Sequence, residues 1–291
     1  MHTPDGFISS WICVLLLTVY GGAIGIAWKA RNAWLNQQTL SKMAFAAAAI
    51  FLLQMLNVPV ASGTSGHFLG AAFAVLFLGL YPAVMVMGFV LLVQTLVFGD
   101  GGFIAYGANA FNMAIVATYA AHYARQCSQH LPKTFSYSLS GIASMIAATF
   151  VLSLELAVSG TTALASVLPA MWAVHAFAAI GEAALTIGLV YALSGTFARS
   201  PWKSGLAFFI AVFAFSAIAL PFASALPDGL QSVSLQLGFF SQATIVYQAP
   251  LNGYSMAALN GLVSTAGIAL MGATLCFAVF GAWKWSVPSK A

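Results

Sequence analysis

Apolar residues run in long blocks parted by short polar breaks, and the blocks lack the polar/apolar alternation of a lipid-facing strand. The pattern predicts helices, about nine of them, near residues 7–28, 42–62, 67–81, 83–98, 109–124, 136–158, 167–195, 204–225 and 255–283. The third and fourth are short for a hydrocarbon core of ~30 Å and share a break at Tyr81-Pro82, which predicts tilt, a kink or a partly interfacial position. A core of seven spans is followed by a last pair. The longest break, Leu226 to Tyr254, is read as a loop and carries the turn signature Pro227-Asp228-Gly229, which Pro4-Asp5-Gly6 echoes near the start. Small residues recur four apart in Gly21/Gly25, Ala23/Ala27 and Ala44/Ala48. Such faces let helices approach closely, either within the chain or against another membrane subunit, for which Ala44/Ala48 is the better candidate.

Composition settles the solvent. Of the 291 residues, 62% are hydrophobic and 5% charged, against about 25% charged in a soluble domain. The fold class is therefore an all-α integral membrane protein, a polytopic bundle lying in the lipid bilayer. With the amino terminus outside, Lys29, Arg31, Lys42, Arg125, Lys133, Arg199, Lys203, Lys284 and Lys290 all fall on the cytoplasmic side, as the positive-inside rule requires. The net charge of +4 is thus a topology signal and not a nucleic-acid footprint. Asp5, Asp100 and Asp228 fall in outer segments and Glu155 near the outer end of its span, so the outer mouth attracts cations.

No GxxxxGK[ST], HExxH, GxSxG or CxxC occurs, which excludes recognisable ATP hydrolysis and hydrolase chemistry within the chain. Cys13, Cys127 and Cys276 are scattered without ligand or disulfide spacing and read as packing residues. The beginning of the chain has no basic leader and carries Asp5 instead, so it is expected to be retained rather than removed as a signal peptide. That matters for His2. With an unmodified Met1, the α-amine, the main-chain nitrogen of His2 and its imidazole can close two fused chelate rings, leaving one in-plane position for His67 on the same side. Four planar nitrogens suit Ni(II) or Cu(II) better than Zn(II) or Mg(II), and acid should release the ion because amine and imidazole must lose protons to bind. The bland alternative stays open from these residues alone: a terminal histidine without a role, and a histidine that caps or anchors a helix start. His122 and His130, beside Arg125 and Lys133, read as interfacial polar residues at the inner surface.

Met1-His2-Thr3-Pro4-Asp5-Gly6-Phe7 resembles the start of the CbiM/NikM family, the substrate-binding membrane subunits of cobalt and nickel energy-coupling-factor (ECF) transporters. Gly63-Thr64-Ser65-Gly66-His67-Phe68-Leu69-Gly70 is similar to that family's second motif, and Phe98-Gly99-Asp100-Gly101-Gly102 with Gly107-Ala108-Asn109-Ala110-Phe111-Asn112-Met113 to a third. The resemblance implies a metal-binding transmembrane core over residues 1–200 with Met1, His2 and His67 as ligands. It also implies a coupling subunit in the membrane and a pair of cytoplasmic ATPases as partners. Ni(II) or Co(II) is then the transported ion, and no prosthetic group is expected. Thr3 stands where an aliphatic residue is more usual, which should do little harm. Residues 201–291 resemble an accessory two-helix module named for Pro-Asp-Gly-Leu-Glu, here Pro227-Asp228-Gly229-Leu230 with Gln231 in the acidic place; Leu251-Asn252-Gly253-Tyr254 also departs from an acidic form.

Ligand histidines usually give their other ring nitrogen to a polar partner. Gln54, Asn57, Gln94, Asp100, Asn109 and Asn112 lie toward the outer side and are the candidates. His175 and Glu182, seven apart on one helix face, are either a functional intramembrane pair or a hydrogen-bonded lock. The expected function is capture of Ni(II) or Co(II) outside an inner membrane of a bacterium or archaeon, the chain being a transporter subunit and not an enzyme. A stand-alone channel or secondary carrier is the alternative, which would need a polar relay across the bilayer.

Overall fold

The computed structural model describes residues 2–60, 63–194, 201–219, 222–254 and 261–287. Helices fall in each region where apolar blocks predicted them: α1 Ser10–Lys29, the single turn α2 Arg31–Trp34, α3 Gln37–Gln54, α4 Ala71–Leu78, α5 Leu80–Val93, α6 Tyr106–Ala110 running on into α7 Ala117–Cys127, α8 Lys133–Val158, α9 Leu164–Ser194 and α10 Pro201–Ala219. After α11, Gly229–Gln236, the last helix α12 spans Gly261–Ser286. Among the described residues five helices are long and apolar enough to cross a membrane: Ser10–Lys29, Leu80–Phe98, Lys133–Val158, Leu164–Leu193 and Ala266–Ser286. The only sheet among the described residues is a two-residue antiparallel pair, β1 Val58–Pro59 with β2 Ser65–Gly66.

Helix α3 is central. It is apolar all round, with every residue from Met43 to Gln54 buried, and α10 and α12 pack along it. Phe45 meets Phe277 of α12 with ring centroids 5.0 Å apart. Ala44 and Ala48 are fully buried, so of the two readings of that face packing within the chain holds and docking of another subunit does not. The Gly21/Gly25 face of α1 is the open one: a Cβ at either glycine would meet nothing.

Three sequence expectations shift. The break between the third and fourth blocks lies at Gly79, whose φ of 86° closes α4, and Pro82 sits inside the first turn of α5, where a missing N–H costs nothing. At eight residues α4 is about 12 Å long and cannot span the hydrocarbon core. His67 does not open that helix; it lies in the loop before Gly70, which caps α4 with a φ of 85°. The stretch after Leu226 is not a plain loop, because the Asp228 carboxylate accepts the Gln231 amide at 2.7 Å and starts α11. Of the three cysteines, Cys13 and Cys276 are buried as expected of packing residues, whereas Cys127 is exposed.

Candidate metal centre

Three chain segments far apart in sequence meet here, and each is pinned by the bundle. The first begins at His2. Its main chain at Thr3 is held at both polar groups by one side chain: the Thr3 amide donates to Asn109 Oδ1 at 2.8 Å, and Asn109 Nδ2 donates back to the Thr3 carbonyl at 3.1 Å. The Gly102 amide adds a bond to the same carbonyl at 2.9 Å. The Asp5 carboxylate accepts the amides of Phe103 at 3.0 Å and Ala105 at 2.9 Å, so the Pro4-Asp5-Gly6 signature serves to clamp the loop that leads into α6. Thr3 is completely buried and its hydroxyl has no hydrogen-bond partner, so this polar substitution for an aliphatic residue does carry a cost.

The second segment carries His67. Glu182 of α9 accepts the amides of Leu69 at 2.7 Å and Gly70 at 3.0 Å, and Gln54 at the end of α3 donates to the Leu69 carbonyl at 2.8 Å. The intramembrane acid therefore holds the His67 loop. His175 gives its Nδ1–H to the Met171 carbonyl at 2.8 Å, so Glu182 and His175 each serve a main-chain partner of their own.

A third segment supplies the carboxylate. The last turn of the fourth apolar block is a π-helix, Gln94–Phe98, and the Asp100 amide folds back onto the Gln94 carbonyl at 3.0 Å. This widened turn, a form frequent at functional sites, brings Asp100 over His2.

The result is a stacked pair of imidazoles. The rings of His2 and His67 lie with centroids 5.1 Å apart and planes inclined by 23°. With nitrogen–metal bonds of ~2.1 Å, two imidazoles on one ion have centroids roughly 4.5 Å apart when cis and roughly 6.5 Å when trans. The observed spacing falls between. Each ring has Nδ1 on an oxygen: His2 on Asp100 Oδ1 at 2.7 Å, His67 on the Phe68 carbonyl at 3.0 Å. The carbonyl can only accept, so His67 carries its proton on Nδ1 and its lone pair on Nε2. The Nε2 atom of His2 is buried without a hydrogen-bond partner. A chelate ring through the main-chain nitrogen of His2 would need Nδ1, the nitrogen that Asp100 holds here.

Electrostatics favour a neutral base beside a charged acid. Burial above all, with the neighbouring His2, pushes the His67 imidazole down to about 3. Burial works to raise Asp100, but the His2 imidazole and the hydrogen bonds from His2 and Tyr254 outweigh it and hold the carboxyl below the usual carboxylate range. At neutral pH a cation would meet an imidazole without a competing proton, close to a negative charge.

Of the remaining sequence candidates, Gln54 and Gln94 form a buried amide chain, Gln94 Nε2 donating to Gln54 Oε1 at 2.9 Å, that links the Asp100 turn to the His67 loop. Asn112 instead donates to Glu155 at 2.7 Å inside the bundle. The Asn57 carbonyl accepts the Ser224 amide at 2.8 Å, and its side-chain oxygen is buried without a partner. Met1 lies outside the described residues. Among the described residues no group of three or more His, Cys, Asp or Glu could hold a metal. Sequence reasoning missed Tyr254, which donates to Asp100 Oδ2 at 2.7 Å; the departure of Asn252-Gly253-Tyr254 from an acidic form was the available signal.

A profile of the CbiM family, described as a cobalt uptake substrate-specific transmembrane region, matches residues 2–200. The chain belongs to the CbiM family. A protein of Archaeoglobus fulgidus with the provisional name fused nickel transport protein NikMN is 30% identical over 293 residues, covering 96% of both chains. The cobalt transport protein CbiM of Thermosediminibacter oceani is 32% identical over 124 residues, 42% of this chain and 51% of that one. A crystal structure of a truncated transition metal transporter superposes with a TM-score of 0.61 at 32% identity, covering 66% of this chain and 98% of its own. This CbiM-family protein is accordingly a multi-pass membrane protein of a cobalt and nickel transport family.

Proposed function

We propose that the chain is the substrate-capture subunit of an ATP-driven ECF-type importer, binding Ni(II) or Co(II) at the outer face of the cytoplasmic membrane. The ligands are the amino group of Met1, the main-chain nitrogen and imidazole of His2, and the imidazole of His67. Residues 1–200 form the metal-binding core and residues 201–291 an accessory two-helix module. A transmembrane coupling subunit and cytoplasmic ATPases supply the energy, reorienting the bundle so that the ion leaves on the inner side.

The observation that carries this reading is the approach of the His2 and His67 rings to 5.1 Å, at the end of the molecule where Asp100 and Asp228 also lie; chelation through the His2 main-chain nitrogen requires His2 Nδ1 to leave Asp100 for the ion. Nitrogen donors of this kind select late first-row ions over Mg(II) or Ca(II). A stand-alone channel gains no support from the deep polar residues, since Glu182 and His175 are committed to main-chain groups.

The test is nickel and cobalt bound per purified chain. His67→Ala and a one-residue extension before Met1 should each lose most of the affinity, whereas His130→Ala should bind as the wild type does. Full binding by the extended chain would refute the amine ligand. Uptake by cells that carry this subunit without the coupling subunit and ATPases should be lost.

A further inference from the structure

The loop that presents His67 is held at both ends, and the two holds come from different parts of the chain. At the far end Leu69 and Gly70 are gripped by Glu182 of α9 and Gln54 of α3. At the near end stands Ser65, fully buried, two residues before the histidine. Its amide donates to the Pro227 carbonyl at 2.9 Å and its hydroxyl to the Leu226 carbonyl at 2.8 Å, so both donors are spent on one turn, which begins 161 residues further along the chain. The same segment pairs Asp228 with Ser65 as a parallel bridge, and the Ser224 amide donates to the Asn57 carbonyl at 2.8 Å. It thereby lies like a third strand beside the hairpin of β1 and β2, whose two-residue strands are too short to hold their register alone.

The turn is itself seated. A Cβ at Gly229 would stand 2.6 Å from Cε1 and 2.8 Å from Nε2 of His175, so only glycine lets the chain press on that ring. The ring in turn is fixed by the bond from its Nδ1 to the Met171 carbonyl. Beyond the turn, Leu230 and Val233 of α11 are buried in one apolar cluster with Phe7 and Ile8, and Phe239 meets Phe7 edge-on with ring centroids 5.1 Å apart. Helix α9 therefore frames the His67 loop twice, directly through Glu182 and, by way of His175 and the turn, at Ser65.

We propose that the turn at residues 226–229 positions the metal site, acting through Ser65 on the His67 imidazole. This rests on the assignment of His67 as a ligand. The physical argument is preorganisation. With the main chain pinned on both sides of His67, and its Nδ1–H on the Phe68 carbonyl, the ring is oriented before the ion arrives and the ordering cost is not taken from binding. None of these bonds uses a nitrogen that the ion must take: the Nε2 lone pair of His67 stays open, so the hold and the ligand set do not compete. Residues outside the core thus help to set how tightly the ion is bound.

The test uses the full chain in detergent with Ni(II) as probe, and reads affinity, the visible absorption band of the bound ion and the melting profile of metal-free protein. Ser65→Ala removes the hydroxyl bond and keeps the amide bond; nickel affinity should fall about fivefold, with a shifted band at saturating nickel. Gly229→Ala drives a Cβ into the His175 ring and displaces the turn, which should weaken binding about tenfold. The double variant should be little worse than Gly229→Ala, because both changes act through one contact. Ser234→Ala breaks a bond to the Gln231 carbonyl within α11; it should lower the melting temperature and leave affinity and band as in wild type. Wild-type affinity in Ser65→Ala would overturn the proposal, as would an unmoved band or losses that simply add in the double variant. A loss of nickel in Ser234→Ala equal to that in Ser65→Ala would overturn it too, since the segment would then matter only for overall stability. A His67→Ala chain that binds nickel as wild type does would instead sink the ligand assignment itself, an outcome separable from all of these.

Discussion

Replacing Asn109 by alanine tests how the first segment is held. Asn109 is buried and spends its side chain on Thr3, accepting its amide at 2.8 Å and donating to its carbonyl at 3.1 Å. The carbonyl keeps the Gly102 amide at 2.9 Å, so the variant strands one group, the Thr3 N–H, in a buried position. An orphaned buried donor costs about 1–3 kcal/mol. Taking about 2 kcal/mol, at 1.4 kcal/mol per factor of ten, shifts docking of the His2 segment by roughly thirtyfold. Apparent affinity falls with the docked fraction, so the Kd for nickel should rise about tenfold, and by no more than that thirtyfold ceiling. Titration of purified protein against a nickel chelator measures it, with thermal unfolding run in parallel. Asn112→Ala is the control, because Asn112 bonds Glu155 and not the segment; it should lower the melting temperature without a selective loss of nickel. Wild-type affinity in an Asn109→Ala protein that folds normally would refute the reasoning.

Other outcomes follow from the same contacts. Thr3→Val removes a buried hydroxyl that has no partner and keeps the shape, so the melting temperature should rise, reflecting about 1 kcal/mol. Gly6→Ala places a Cβ against the Gln242 carbonyl at a φ of 93°, so proteolysis within residues 240–254 should quicken while the bundle stays intact. In metal-free protein, stability should decline as the pH falls. Folded His67 is held down to about 3 from 6.5, so the unfolded chain protonates first, and the loss runs across that window. Asp100, held below its ordinary 3.8, adds a loss of the same sign at lower pH. A pH series of thermal melts should show the decline, and His67→Gln should flatten its upper part.

The membrane character and the places of the helices were legible in the sequence because lipid imposes one-dimensional rules. A span must be apolar over its whole length and its flanking charges must sort by side, and both are properties of consecutive residues. The histidine pair was legible for a related reason: a terminal histidine and a Gly/Ser/Thr-flanked histidine at the same end of the bundle are local signatures of unusual chemistry. What such patterns omit is which distant groups share an oxygen or a ring face. Glu182 read equally as a functional intramembrane acid or as a lock, and it is the clamp on Leu69 and Gly70, because the bend at Gly70 leaves two amides in need of an acceptor at that depth. Ala44 and Ala48 could pack within the chain or dock another subunit, and the spacing alone did not choose; they are buried, because α10 and α12 close over α3 from more than 150 residues away in the chain. Asp100 lay among six polar candidates; the π-turn before it and the hydroxyl of Tyr254 beyond it bring its carboxylate to His2. Hydropathy is additive along the chain, whereas a metal centre depends on side-chain directions in three dimensions, which only the packed bundle fixes.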